Sequence, residues 1–514
     1  VFARVFSGGL IGVDAYSIEV EVDCGGGIGN IHVVGLPDAS VKESQERVRS
    51  AIKACEFLMP PGKKWVINLA PADTRKEGPA YDLPMAIGIL AATGMVPTTH
   101  LADFFLVGEL SLNGTVRAVS GVLPIALACR KQGVANIIVP DANAEEAGLV
   151  EGLTVYPVSH LKQVCSIVAD PKSGAPLSSD AREIFLKSQS NLSFELDFKD
   201  VKGQNQAKRA LAIAAAGRHN VLMVGPPGSG KSMLAQRLPG IMPPLAFAEA
   251  VELTKLYSVA GLLSDKASLV SQRPFRSPHH SASSSGLVGG GSIPKPGEIS
   301  LSHMGILFLD ELTEFPRALL ETLRQPMETG NVTISRAQQT LTYPASFLLV
   351  GACNPCPCGH RGDHIKHCTC TPYHADRYWS RLSGPLLDRI DIHLQVARLG
   401  EAELAGRGES DSSADLRLKV MRAVEAQRNR FPDGQFVYNG QLNNRQASKY
   451  CQISEVSRRL LAQAVTQMGL SARAYDRVLR VARTIADLEG HDDITSGDVA
   501  SAIALRNYRK PASE

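Results

Sequence analysis

NVLMVGPPGSGKSMLAQRLPG, residues 220–240, decides how this chain is read. The opening NVLMV is an uninterrupted apolar run after its first residue, the mark of a short strand buried on both faces. SMLAQRL, from Ser232, is rich in helix formers. Between them GPPGSGKS, residues 225–232, fits the pattern G-x-x-x-x-G-K-[ST]. Strand, glycine-rich loop and helix are the context the pattern requires, because loop amides and a helix N-terminus then converge on phosphate oxygens. Gly225, Pro226, Pro227, Gly228, Ser229 and Gly230 are the expected cradle for ATP. Lys231 is expected to reach the β- and γ-phosphates, and Ser232 to hold Mg2+.

Further along, GILFLDE, residues 305–311, reads as a buried strand ending in two carboxylates. Asp310 is expected to join Ser232 in holding Mg2+, and Glu311 to polarise the attacking water. SFLLVGACN, residues 346–354, reads as a third such strand and ends in Asn354, placed to sense the γ-phosphate or orient the water. An apolar run ending in DE is by itself weak evidence. With the phosphate loop upstream, it completes a set for nucleotide hydrolysis.

Working outward, four zones separate by texture. Residues 1–168 mix β-rich runs (YSIEVEV, KKWVINLA, NIIVP) with helical ones, an α/β or α+β domain. Residues 169–196 are rich in Ser, Pro and charge and read as a linker. Residues 197–400 form a second α/β region around the phosphate loop. Residues 401–514 are helical, with Val478, Val481, Ala482, Ile485 and Leu488 at helical spacing. A length of 514 residues agrees with roughly three or four domains.

Composition bounds the class without naming a function. Hydrophobic residues make up 44% and charged residues 20%, a globular balance. Lys and Arg number 54 against 51 Asp and Glu, leaving +3, so a nucleic-acid partner would have to be held by local patches. The first twenty residues lack a basic segment followed by a long apolar run, so no secretory signal is expected there. LPMAIGILAATGMVP, residues 83–97, is too short to span a bilayer and reads as a core helix. A soluble, cytoplasmic protein is expected.

The ten cysteines are unevenly placed. Cys24, Cys55, Cys129, Cys165 and Cys451 stand apart, whereas Cys353, Cys356, Cys358, Cys368 and Cys370 fall together. A secreted disulfide scaffold would be short and cysteine-dense throughout. The two Cys-x-Cys pairs, Cys356 with Cys358 and Cys368 with Cys370, can close a tetrahedral thiolate site of the kind Zn2+ favours. Cys353 paired with Cys356 is an alternative spacing, and His360, His364 or His367 could replace one ligand. The four paired cysteines are preferred because Cys353 precedes Asn354 on the third strand and is expected to point into the core.

The order of these motifs resembles an AAA+ ATPase core. FKDVKGQNQAKRALAIAAAGRHNVLMVGPPGSGKS, FRSPHHSASSSGLVGGG, LSHMGILFLDELTEF, NPCPCG and SGPLLDRIDIHL are similar to the magnesium-chelatase-like branch, and together they resemble the YifB/ComM family along the whole chain. That resemblance implies a hexameric ring motor that binds DNA in its channel and drives branch migration during natural transformation. It implies that Arg389 is an arginine finger offered to a neighbouring subunit, and that Arg473 is the sensor arginine of a helical lid, with Arg477, Arg480 and Arg483 as competitors. It places channel-facing insertions at residues 273–298 and at the hairpin of residues 331–345, where Arg336 would meet a phosphate backbone. TRKEGPAYDLPMA and TVRAVSGVLP resemble the Lon-protease fold, but Ala80 stands at the serine position and Leu123 at the lysine position. Without nucleophile or base, acyl transfer has no mechanism. Lys76 and Glu77 are read as solvated charges. Three alternatives stand beside the DNA motor: a chelatase motor acting with partner subunits, a Lon-like protease, and a nucleotide-gated scaffold.

Overall fold

The computed structural model describes residues 2–27, 30–178, 180–190, 194–263, 268–291, 294–335, 340–363, 365–400, 411–431 and 436–506. The chain divides into two compact units, Val1–Leu192 with Ala246–Ser271, and Ser193–Leu245 with Gln272–Glu514.

The first unit is built on a seven-stranded mixed sheet. Its strands are β1 (Phe2–Ile11), β2 (Asp14–Gly26), β3 (Ile31–Val34), β4 (Lys63–Ala70), β5 (Phe104–Leu106), β6 (Asn136–Pro140) and β7 (Thr154–Val158). Their order across the sheet is β3-β4-β2-β1-β5-β6-β7. β2 pairs antiparallel with both β1 and β4, and the remaining pairs are parallel. The expected core helix is Asp82–Ala92, buried along its whole length. It lies so close to the sheet that a Cβ at Gly88 would sit 2.5 Å from Val22 Cγ2, so the position takes a glycine. Asp82 at its start is fully buried and paired with Arg47 at 2.8 Å.

Three features of this unit depart from expectation. The tract read as a linker contains the helix Ala181–Ser190, and Phe185 packs edge-on against Phe247 with ring centroids 5.5 Å apart. The ATPase-side segment Ala246–Ser271, expected inside the 197–400 core, belongs to this unit instead. Glu146 explains part of that. The helix Val122–Lys131 has no side-chain N-cap, and the buried Glu146 carboxylate takes that role, accepting the Leu123 N–H at 2.8 Å. The same carboxylate accepts Asn143 Nδ2 at 3.0 Å and the Ser258 hydroxyl of the helix Phe247–Ala260. Lys255 adds an ion pair to Asp14 at 2.8 Å. Finally, Lys76 is not a solvated charge: it is fully buried, its ammonium donating to the carbonyls of Pro71 and Thr74. Burial lowers its pKa, opposed by Asp73.

The second unit carries a five-stranded, wholly parallel sheet: β8 (Val221–Val224), β9 (Phe275–Arg276), β10 (Ile306–Leu309), β13 (Leu348–Cys353) and β14 (Ile392–Gln395). Between β10 and β13 the chain makes the antiparallel hairpin β11 (Asn331–Ser335) and β12 (Thr340–Pro344). The sheet order is β9-β10-β13-β8-β14. Connections leave β8 toward one edge and return past it to the other, which makes the carboxyl end of β8 the topological switch point where α/β sheets bind ligands. The hairpin forms because Val332, Ile334, Leu341 and Tyr343 alternate with exposed polar residues. Arg336 lies outside the described residues.

The helices Ser413–Arg428, Glu455–Met468, Ala472–Glu489 and Ser496–Ala504 complete this unit. Val478, Val481, Ala482 and Ile485 point inward as the periodicity predicts. They join Ala210, Val221 and Ile392 in one hydrophobic core, so the nucleotide sheet and the C-terminal helices are not separately cored. Among the described residues, no helix is long and apolar enough to cross a membrane.

Candidate nucleotide site and cysteine cluster

All four residues of β8 are buried, and the chain leaves the sheet at Gly225. A Cβ there would lie 2.1 Å from the Val396 carbonyl oxygen, so only glycine lets the loop turn away beside β14. Gly228 and Gly230 hold φ of 76° and 90°, the left-handed region that lets the loop curl back on itself. The helix Lys231–Arg237 follows directly. Two contacts outside the motif brace the loop: Arg398 donates to the Pro227 carbonyl at 3.1 Å, and Gln204 bridges the carbonyls of Ser229 at 3.4 Å and Ala397 at 2.7 Å. Sequence reading missed both.

The predicted residues converge. Lys231 is 8% exposed, and its ammonium donates to the carbonyls of Gly225 at 2.7 Å and Pro226 at 3.0 Å and to Asn354 Oδ1 at 3.3 Å. Burial lowers its pKa, while Cys353, Asp310 and Glu311 pull it back up. The Ser232 hydroxyl donates to Asp310 Oδ2 at 2.6 Å, so the two expected Mg2+ ligands already touch. The other Asp310 oxygen accepts the Glu311 N–H at 2.9 Å. Glu311 sits at φ 50°, a left-handed conformation that costs a non-glycine residue and that recurs at functional sites. Its exposed carboxylate has a partner that sequence reading did not assign: His280 Nδ1, 3.4 Å from Oε2.

The arginines sort differently. Arg389 is 6% exposed and engaged within its own chain, ion-paired with Glu328 and donating to the Pro385 carbonyl at 2.7 Å. Arg473 is exposed in the first turn of the helix Ala472–Glu489. Its competitors have partners: Arg477 pairs with Asp391 and donates to the Arg389 carbonyl at 3.2 Å, Arg480 donates to Asn444 at 3.4 Å, and Arg483 pairs with Asp487 at 2.9 Å.

Cys356, Cys358, Cys368 and Cys370 come together, with their sulfurs all within 4.8 Å of one another. Cys356 lies 3.4 Å from Cys358 and 3.6 Å from Cys368, and Cys370 Sγ accepts the Cys358 N–H at 3.3 Å. Cys353 is buried on β13 and is not in the group; burial pushes its thiol up to about 12, with Lys231 opposing. His360 is paired with Asp363 at 3.4 Å, and His364 lies outside the described residues. Burial raises the Cys358 thiol, yet the backbone N–H groups of His360 and Thr369 and the neighbouring cysteines bring it down to about 5. Four convergent sulfurs with one stabilised thiolate are the donor set of a tetrahedral soft-metal site, and they fit Zn2+. The cluster abuts the phosphate loop: a Cβ on Gly359 would stand 2.6 Å from Pro227 Cδ.

In the first unit, Ala80 lies in the 3-10 turn Pro79–Tyr81 and Leu123 is fully buried. Neither position offers a nucleophile or a base.

Three family models match the chain: "Magnesium chelatase, subunit ChlI" over residues 197–404, "Subunit ChlI of Mg-chelatase" over residues 20–143, and "Magnesium chelatase, subunit ChlI C-terminal" over residues 410–506. The chain is 44% identical over 510 residues to the competence protein ComM of Haemophilus influenzae, covering 98% of this chain and 97% of that protein. It is 44% identical over 511 residues to the uncharacterized protein YifB of Salmonella typhimurium, with the same 98% and 97% coverage. The chloroplastic magnesium-chelatase subunit ChlI-2 of Arabidopsis thaliana is 24% identical over 212 residues, 41% of this chain and 44% of that protein.

Proposed function

This chain belongs to the YifB/ComM family of magnesium-chelatase-like AAA+ ATPases, and on that premise we propose that it is an ATP-driven ring motor translocating on DNA. The observation that carries the ATPase half is the meeting of Lys231, Ser232, Asp310 and Asn354 at the carboxyl end of β8. Phosphate oxygens of ATP replace the carbonyls of Gly225 and Pro226 as partners of the Lys231 ammonium. Ser232 and Asp310 would hold Mg2+, which would supply positive charge against the phosphates. Glu311 draws the proton from the attacking water, and Asn354, already bonded to Lys231, orients that water against the γ-phosphate. Arg389 completes the site from a neighbouring subunit, and Arg473 from the lid.

The DNA half rests on the likeness to a competence protein and on the resemblance of the motifs. In this reading the chain works as a homo-hexamer in the cytoplasm, and the hairpin β11–β12 reaches DNA through Arg336. The four cysteines hold a structural Zn2+ that stiffens the segment beside Pro227, and the first unit is a non-catalytic Lon-like module. Branch migration in support of natural transformation is the task proposed. The test is turnover and strand separation on forked DNA: DNA-stimulated ATPase and unwinding by the native chain, with both lost in Glu311→Gln while ATP binding persists. ATPase without any DNA stimulation or unwinding rejects the DNA motor.

The chelatase-subunit matches support a second reading, a motor that acts on a metal-inserting partner. Porphyrin metallation with such a partner separates the two. A protease is disfavoured by Ala80, and casein degradation tests it directly.

A further inference from the structure

Arg389 is buried where a finger would have to be exposed. A guanidinium that serves a neighbouring subunit's ATP must leave the surface of its own chain, and a side chain 6% exposed cannot do so as it stands. Two of its nitrogens are engaged at home, one with the Glu328 carboxylate and one with the Pro385 carbonyl at 2.7 Å. Its Nε, also buried, has no hydrogen-bond partner among the described residues. A buried donor left unbonded costs free energy, so the site holds this arginine without satisfying it. The backbone beneath it is fixed, because the Arg389 carbonyl accepts Asn220 Nδ2 at 3.3 Å and Arg477 Nη1 at 3.2 Å. What is left to move is the side chain, and the charge that retains it belongs to Glu328, whose own side chain is 52% exposed and open to water.

The place of Glu328 gives that retention a consequence. It stands in the last turn of the helix Arg324–Thr329, and Gly330, at φ 67°, turns the chain directly into β11. The joint is stiff. The Ala345 N–H donates to the Gly330 carbonyl at 2.7 Å, Asn331 Nδ2 donates to the Thr329 carbonyl at 3.0 Å, and the Thr329 hydroxyl donates to the Gln325 carbonyl at 3.1 Å. A hairpin displaced at its strands therefore carries the end of this helix, and the Glu328 carboxylate, with it. We propose that Glu328 is a positioning residue for the finger: it keeps Arg389 in its own chain until DNA displaces the hairpin β11–β12, and then frees it for the neighbouring subunit's ATP. Turnover is thereby made conditional on DNA. This rests on the readings of Arg389 as a finger offered in trans and of the hairpin as a DNA contact.

The experiment uses the full chain and two readouts. The first is labelling by phenylglyoxal, an arginine-specific dicarbonyl, without DNA or nucleotide, read by mass spectrometry of the peptide that carries Arg389. Native Arg389 reacts slowly beside the exposed Arg473. Glu328→Gln, which keeps the shape and removes the charge, raises the Arg389 rate about fivefold, the size expected of a partly exposed ion pair. The second readout is steady-state ATPase with and without forked DNA, at chain concentrations above which the specific rate is constant. Glu328→Gln and Glu328→Ala raise kcat without DNA about fivefold, with KM within about twofold, and shrink the stimulation by DNA in the same proportion. A gain of turnover is a result that a damaged fold does not produce. Unchanged labelling of Arg389 in both variants overturns the proposal, and so does a DNA-free rate at or below the native one. If Arg389→Ala turns over ATP at the native rate, the reading of Arg389 as a finger fails; if DNA does not stimulate the native chain, the DNA motor fails. If Arg389→Ala is inactive, DNA stimulates the native chain and Glu328→Gln keeps the native DNA-free rate, only the present proposal fails.

Discussion

His219 precedes β8 and offers a perturbation whose size follows from the structure. Its ring is completely buried. Nε2 bonds the Thr484 hydroxyl at 2.7 Å, and Nδ1 lies 3.8 Å from Asp391, too far for a hydrogen bond. Burial depresses its pKa to about 4; Asp391 pulls it up, and Arg480 and Arg477 push it down further. The folded chain therefore keeps this imidazole neutral, whereas the unfolded chain protonates it near pH 6.5. The stability it contributes is fully present above about 6.5 and is lost progressively as pH falls toward about 4. Between pH 7 and pH 5 the loss amounts to about 2 kcal/mol. The chain has two tryptophans, and Trp65→Phe leaves Trp379 as a reporter of the second unit alone. Urea unfolding followed by Trp379 fluorescence is then compared at pH 7 and pH 5, with and without His219→Gln, which keeps a group to meet Thr484 but cannot titrate. The pH-dependent loss is expected to shrink by about 2 kcal/mol in the Gln variant. Equal losses in both chains would refute a buried neutral His219.

Glu146→Ala strands the Leu123 N–H, the Asn143 amide and the Ser258 hydroxyl, and is expected to cost the first unit about 3 kcal/mol, read by Trp65 fluorescence in a Trp379→Phe background. Ser258→Ala should cost about 1 kcal/mol in the same assay. For the cysteine cluster, one zinc per chain by atomic absorption is expected, falling to none in Cys358→Ser or after prolonged chelation, with a lower urea midpoint for the second unit. Arg389→Ala is expected to reduce ATPase by more than about 100-fold. Mixing it with inactive Glu311→Gln chains should restore part of that activity, since an interface at which the Arg389→Ala chain holds ATP and the Glu311→Gln chain offers its arginine combines an intact Glu311 with an intact Arg389; a mixture without recovery places Arg389 in its own chain's site.

The parts of this molecule legible in its sequence are those whose geometry is set by residues close together in the chain. The phosphate loop is fixed by glycines that must take positive φ or lie against a neighbouring backbone, and its lysine and serine follow within one turn. The cysteine quartet is legible because two Cys-x-Cys pairs need only one reversal to meet. The hairpin shows itself by alternation. What stayed hidden depends on distant pairings or on the path the folded chain takes. Ser258 and Lys255 fold with the first unit through Glu146 and Asp14, partners far away in sequence, and nothing in VELTKLYSVA marks it for that unit. Lys76 sits in a charged run, TRKEG, that reads as surface; only the path of the chain turns the Pro71 and Thr74 carbonyls inward to bury its ammonium. His280 is the same case at the site itself, since its meeting with Glu311 exists only because β9 lies beside β10.

The arginines of the helix Ala472–Glu489 differ in what holds them. By sequence Arg473, Arg477, Arg480 and Arg483 lie along one helix and compete for one role. An arginine meant for a nucleotide must have its guanidinium available when ATP arrives, because breaking a buried ion pair leaves a stranded charge and costs several kcal/mol, on the order of 3–5. Arg483 is buried against Asp487, which also takes Arg430. Arg477 is committed to Asp391, itself buried and held below the usual carboxylate range by Arg477 and His219 against the cost of burial. Arg480 is turned to Asn444, and burial lowers its pKa. Arg473, exposed in the first turn of the helix, is the member of the set with no such commitment. Arg477 then acquires a different meaning: it clamps the helix Ala472–Glu489 to the Arg389 carbonyl, so if that helix is the proposed lid and moves with the nucleotide, it would move the segment bearing the proposed finger. The Glu328 pair that holds Arg389 in its own chain is the contact such a movement has to break.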